Sequence, residues 1–480
     1  VSIAIGATAP AARSLSIKSR LAFGVGSIAY GIKDNGFSTF LLLYYNQVVG
    51  LPATTVGLMV LMALLIEAFV DPLVGFLSDH TRSRWGRRHP WMYASVIPVA
   101  TGWILLWNPP HWGQQATAWY LFGSALLVRI ALSTFEIPAS ALGPELSSDY
   151  DERTRIFSYR YLFGWAGGLG MLSLAYAVFL VPDATHAVGL QNGPGYAHMA
   201  LFSAGAMALT IILSSIGLQG EIKHLPKLPP VDETLGEHFR LFRRTVANKP
   251  FAILMSASLF AYTAQGLSFA LSNYLYQYVW RFHGGDYQWL AVALLAGALI
   301  AFIIAPRLSA GGDKPRIGAM LSLANAVLCV LPYVLRQVGM FPANDSPLMI
   351  PLLLGIFVIN AACGVAAFIL LSAMLSDVVE EAETRTGQRS EGVFFAGSFF
   401  VQKTTTGIGT FLAGSVLAIA AFPVAAKPEL VGPEVIDRLV VLFIVLMFGL
   451  YALASYITLR FPFGRADHVA RLERLGAMRE

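Results

Sequence analysis

The chain has 480 residues, 56% of them hydrophobic and only 13% charged, with a mean hydropathy of +0.62. Soluble domains carry about a quarter charged residues, so this composition excludes a water-facing coat and, at this length, a peripheral or single-anchor protein. The net charge of +5 does not imply a nucleic-acid partner, because in a membrane protein the placement of positive charge matters more than its sum.

Taken in chain order, residues 1–18 read as a cytoplasmic tail. Arg13 and Lys18 follow the short apolar run, whereas a signal peptide has its positive charge first. Apolar runs broken by Gly, Pro and charge clusters then predict twelve spans: 20–48, 53–78, 90–108, 117–143, 158–180, 197–219, 251–280, 288–306, 316–335, 348–376, 392–421 and 437–460. The longest of these imply tilt or kinks, for which Pro72 and Pro138 are candidates. The longest connection, 220–250, falls between the sixth and seventh spans. The domain plan is therefore a six-helix bundle over 19–219, a second over 251–460, and a C-terminal cytoplasmic tail over 461–480. Within the central connection, 236–246 reads equally well as an amphipathic helix on the inner leaflet or as a solvated linker.

The predicted fold class is thus an all-α membrane protein of twelve transmembrane helices in two bundles, although the halves share only weak sequence similarity. Such a plan suggests a transporter with its site near the bilayer midplane. Counting span-edge residues with the adjacent connection, 26 of the 33 Lys and Arg fall in the tails and the even-numbered connections. That bias predicts both termini in the cytoplasm. Cys329 and Cys363 lie in apolar segments with no metal-ligand or disulfide spacing.

Ionisable groups cost at least roughly 2.5–3.5 kcal/mol each at the centre of a span, so those that occur there are the strongest functional signal. Glu67 and Asp71 lie four apart on the second helix, one turn from each other on the same face. Such a pair can share one proton or hold a hard cation. On the fourth helix Arg129, Ser133 and Glu136 share a face, and Arg129 reads either as a substrate contact or as a buried counter-charge. Lys403 lies deep in the eleventh helix beside Gln402 and three threonines. Lys33 and Asp34 on the first helix are adjacent and so point in different directions. All nine histidines fall in loops or near helix ends, and nothing reads as a P-loop, a metal cluster or an activated nucleophile. An enzyme or ATPase is therefore not expected, and no cofactor beyond a coupling ion, H⁺ or Na⁺.

The run Gly75-Phe-Leu-Ser-Asp79, followed by Arg82-Ser-Arg84-Trp-Gly86-Arg87-Arg88-His-Pro90-Trp91, resembles the loop between helices two and three of the major facilitator superfamily. In its long form it resembles the glycoside–pentoside–hexuronide:cation symporter family. Glu67-Ala-Phe-Val-Asp71-Pro72, Ile137-Pro138, Asp151-Glu-Arg153-Thr-Arg155 with Arg160, and the stretch from Asp377 through Arg385 and Gly387 to Glu391-Gly392 extend the likeness over about residues 18–460.

The resemblance implies a major facilitator fold and alternating access in a bacterial inner membrane. It places cation coupling on Glu67, Asp71 and Ser133, and substrate binding on Glu136, Arg160 and Lys403, to which the reading of the charged residues adds Asp34 and Arg129 as candidates. Gating would fall to Asp79, Arg84, Arg87, Arg88 and Asp377. Val70 replaces a polar ligand of the family's cation site, which favours protons over sodium. Gly31 replaces its sugar-binding Asp, and Ser140 and Ile369 replace its aromatics. The expected function is symport of a glycoside, uronide or similar small polar solute, the alternative being an amphipathic substrate such as a lysolipid. The expected partners are that solute and the lipid bilayer, with the protein a monomer.

Overall fold

Apolar segments that must satisfy their own backbone groups in a lipid-like interior have one local solution, the helix. The computed structural model describes residues 15–146, 150–224, 248–311, 313–386, 391–426 and 430–462. The tails before 15 and after 462, and the 236–246 segment, lie outside these described residues.

Among the described residues twelve helical rods follow one another. The first, α1, comprises Ile17–Val25, Ser27–Asn35 and Leu41–Leu43, with π-turns at Gly36–Phe40 and Tyr44–Val48. Then come α2 (Ala53–His80), α3 (His89–Leu106), α4 (Gln114–Leu146) and α5 (Tyr150–Leu174, ending in a π-turn at Ala175–Phe179). The first half closes with α6 (Gly193–Gln219). The second half holds α7 (Lys249–Tyr274, ending in a π-turn at Leu275–Val279), α8 (Gly284–Gly311), α9 (Lys314–Gln337), α10 (Met349–Thr386), α11 (Glu391–Ile419) and α12 (Pro433–Thr458). Nine of the described helices are long and apolar enough to cross a membrane on length and composition alone.

Two expected boundaries move. Residues 150–157, expected as a connection, are the first turns of α5, and 377–386 are the last turns of α10. Glu and Arg are good helix formers, so these helices run past their apolar stretch. The long α2 and α4 also continue through Pro72 and Pro138.

The packing repeats after six helices. In the first half α1 packs on α5 and α6, α2 on α4, and α3 on α4 and α6. In the second, α7 packs on α11 and α12, α8 on α10, and α9 on α10 and α12. Five pairings recur with a shift of six, so the two bundles are copies of one arrangement. They meet through α2 with α11, its counterpart α5 with α8, and α1 with α7.

The seam between the bundles is not uniform along its length. Call the end where α1 begins and α12 finishes the termini end, and the opposite one the far end. At the far end Tyr274 donates to Asn46 (2.8 Å), Tyr176 to Asn273 (2.8 Å) and Asn273 to the Thr39 carbonyl (3.0 Å). Gln47 accepts from the Ala426 amide (2.8 Å) and donates to the Pro423 carbonyl (3.1 Å). The same level brings the α2 and α11 backbones together: a Cβ on Gly57 would lie 2.9 Å from the Phe411 Cα. The far end is closed.

Candidate functional site

Where α2, α4 and α11 converge, the carboxylates that sequence places on one face of α2 meet cations from both bundles. Arg129 of α4 donates from Nη1 to Glu67 Oε2 at 2.7 Å, and Lys403 of α11 donates to Glu67 Oε1 at 3.0 Å. Ser133, one turn from Arg129, is 3.5 Å from Glu67 Oε1. Lys403 also pairs with Asp71 Oδ2, so its ammonium sits between the two carboxylates. Glu67 and Arg129 are buried, while Lys403 and Asp71 keep 24% and 19% of their side-chain surface, which leaves this pair within reach of solvent.

The inventory of lone pairs is unequal. Glu67 has both oxygens engaged. Asp71 has one, and its Oδ1 is buried without a hydrogen-bond partner. The space between the carboxylates, where a coupling cation was expected, holds the Lys403 ammonium. Arg129 is paired with Glu67 here, with its guanidinium 4.2 Å from the Phe37 ring. Among the described residues no group of three His, Cys, Asp or Glu is placed to hold a metal.

A second charged pair lies between α4 and α5. Arg160 pairs with Glu136 Oε1 and donates to Ser140 Oγ at 2.8 Å and to the Glu136 carbonyl at 3.3 Å. Glu136 Oε2 is left without a partner. On α1 the adjacent charges part as expected: Asp34 is half-buried, whereas Lys33 is buried with its ammonium 4.7 Å from the Tyr30 ring. Gly31 faces α5, and a Cβ there would lie 2.0 Å from the Gly164 carbonyl oxygen. The family's sugar-binding Asp thus has no room at this position.

At the termini end Arg88 joins three helices. It pairs with Asp79 of α2, donates to Ser78 (2.7 Å) and reaches Glu145 of α4 at 3.0 Å, while Arg87 reaches the same Glu145 oxygen at 2.7 Å. The equivalent corner of the second bundle has Lys314 of α9 on Asp377 of α10 at 2.8 Å. Arg84 belongs to neither corner. It is exposed, and its guanidinium lies 5.2 Å from the neighbouring Trp85 ring.

Sequence reasoning missed Glu145 and Lys314, the partners that complete the two corners. Glu145 follows Gly143-Pro144, which reads as a loop. A search for an acid in the last turns of α4 would have found it.

The family model described as MFS/sugar transport protein matches residues 22–465 of the chain. The inner membrane symporter YicJ of Escherichia coli is 26% identical, the match covering 83% of this chain and 82% of that one. The isoprimeverose transporter of Lactiplantibacillus pentosus is 22% identical over 82% of this chain and 78% of its own. Among solved structures, the inward-open xylose transporter XylE of E. coli superposes with a TM-score of 0.59 at 13% identity, covering 95% of this chain and 98% of that one.

Proposed function

The chain belongs to the MFS/sugar transport protein family, and from that premise we propose that it couples entry of a small polar solute, a glycoside or uronide, to entry of a proton. It is a multi-pass membrane transporter of the glycoside–pentoside–hexuronide:cation symporter family, and not an enzyme. With the termini in the cytoplasm, as the distribution of Lys and Arg favours, the closed far end faces outward.

The observation that carries the reading is the Lys403 ammonium held between Glu67 and Asp71. It joins the two bundles in the membrane interior, and Asp71 Oδ1 is an acceptor still open to a proton. Protonating Asp71 removes half of the negative charge that holds Lys403 across the seam. A proton therefore binds with different affinity before and after the bundles move, which is the requirement for driving them. Glu67, tied by Arg129, keeps its charge throughout. No inorganic cation is required, because side-chain cations already occupy its place.

The solute is received by Glu136, Arg160 and the half-buried Asp34, with Lys403 contributing from the opposite bundle. Once Asp71 is neutral, Lys403 is freed toward an anionic group, so an acidic solute is carried at least as well as its neutral counterpart. A site this charged fits a polar solute better than an acyl chain.

The test is uptake of a labelled methyl glycoside and the matching uronide into proteoliposomes. An imposed proton gradient is expected to drive accumulation at constant sodium. Stimulation by a sodium gradient at fixed pH and potential, with no response to protons, overturns the proton assignment.

A further inference from the structure

Three π-turns face one another at the far end: Tyr44–Val48 of α1, Ala175–Phe179 of α5 and Leu275–Val279 of α7. Such turns are rare and concentrate at functional sites. Here they present Asn46 and Gln47, Tyr176, and Gln277 with Tyr278. Every one of these side chains is buried, and every one is neutral.

Four of the five are satisfied across the seam or by the 421–426 loop. Tyr278 donates to the Ala426 carbonyl at 3.0 Å, and the other three hydrogen-bond as described above. Gln277 is the exception. It is 5% exposed, and neither its amide oxygen nor its amide nitrogen has a hydrogen-bond partner. An unpaired buried amide costs about 1–3 kcal/mol, and a leucine of similar size would avoid that cost. It lies one turn beyond Asn273, whose own amide bonds across the seam to α1 and α5. The neighbourhood is also aromatic. Tyr176 stacks on Tyr287 with centroids 4.6 Å apart, and Tyr278 meets Phe422 edge-on at 4.8 Å.

This level is distinct from the central charges. Gly266 of α7 touches Thr406, one turn from Lys403. Gln277 is eleven residues further along, or roughly 16 Å at about 1.5 Å per residue.

We infer that this seam, once parted, is a second binding site: an outer vestibule that takes the sugar ring of a neutral glycoside before it reaches the central charges. The inference rests on the alternating-access reading. Opening the far end breaks the bonds just named and leaves amides and phenols facing the entering solute. A ring with several adjacent hydroxyls can replace those bonds, and its apolar face can lie on the tyrosine rings. Gln277 is the amide kept free for it.

Gln277→Leu and Gln277→Asn test this. Replacing an unpaired amide by Leu is expected to raise the melting temperature. The same change is expected to raise the half-saturating concentration for uptake of methyl pentosides and methyl hexosides at least fivefold, with the maximal rate within twofold, and Asn to fall between. Binding is read separately by equilibrium dialysis in a Gly57→Trp background, where the bulky side chain wedges α2 from α11 and parts the far end. There the same methyl glycosides are expected to bind, and adding Gln277→Leu to abolish it. If none binds the wedged protein, or if binding is indifferent to Gln277, the vestibule is overturned. If the wild type carries no glycoside but the wedged protein binds one through Gln277, the transport reading fails and the vestibule stands.

Discussion

Arg129 donates to Glu67 across 2.7 Å with both side chains buried, so a permanent cation is built into the carboxylate pair of α2. Removing one partner of a buried ion pair leaves the other uncompensated and costs about 3–5 kcal/mol. Arg129→Gln is expected to destabilise by that order, and Glu67→Gln in the same chain to recover much of it. Unfolding of the purified single and double variants measures both. A double variant no more stable than Arg129→Gln would show the guanidinium supports something other than Glu67.

Asp71→Asn is expected to abolish uphill accumulation, bringing the internal concentration down to the external one, while solute exchange continues. The asparagine keeps the size of Asp71 but neither its charge nor its proton, so the driving ion loses its preference between states. Counterflow and gradient-driven uptake on one preparation separate the two activities. Full accumulation by the variant would move the coupling proton elsewhere.

The two ends of the Arg82–Arg88 run are expected to behave differently. Arg88→Ala strips the Asp79–Glu145 corner of its buried central cation, leaves the little-exposed Glu145 carboxylate short of a partner, and should cost about 3 kcal/mol. Arg84→Ala, at an exposed position, should stay within about 0.5 kcal/mol. Equal losses in unfolding would mean Arg84 has a role in another conformation.

Gly31→Ala is expected to destabilise by about 1–3 kcal/mol, because its Cβ overlaps the Gly164 carbonyl and α1 must move off α5. Gly123→Ala is the control, since no heavy atom lies within 4 Å of a Cβ there. Comparable stability of the two would show that α1 and α5 are looser than their contact implies.

The features legible in the sequence were those that violate a membrane rule. Carboxylates at 67 and 71 and bases at 129 and 403 stand out because lipid penalises them, and the six-plus-six plan follows from span counting. Their pairing did not stand out: spacing puts Glu67 and Asp71 on one face but cannot say that Lys403, more than three hundred residues away, lies between them. Charged residues also misled at 377–386, where acids and an arginine read as a loop but extend α10. The far-end seam carried no signal at all. Asn46, Gln47, Asn273 and Gln277 are uncharged and mixed with apolar residues, and their significance lies in partners on other helices.

That neutrality has an electrical consequence. Moving one elementary charge across a membrane potential is worth about 2.3 kcal/mol per 100 mV. The groups named at the far-end seam are amides, phenols and backbone carbonyls. Parting them displaces no net charge through the field. Voltage then acts on the charged centre around Lys403 and Asp71 and leaves the outer seam alone, so hyperpolarisation should change the driven step of the cycle without changing how readily the empty carrier opens outward.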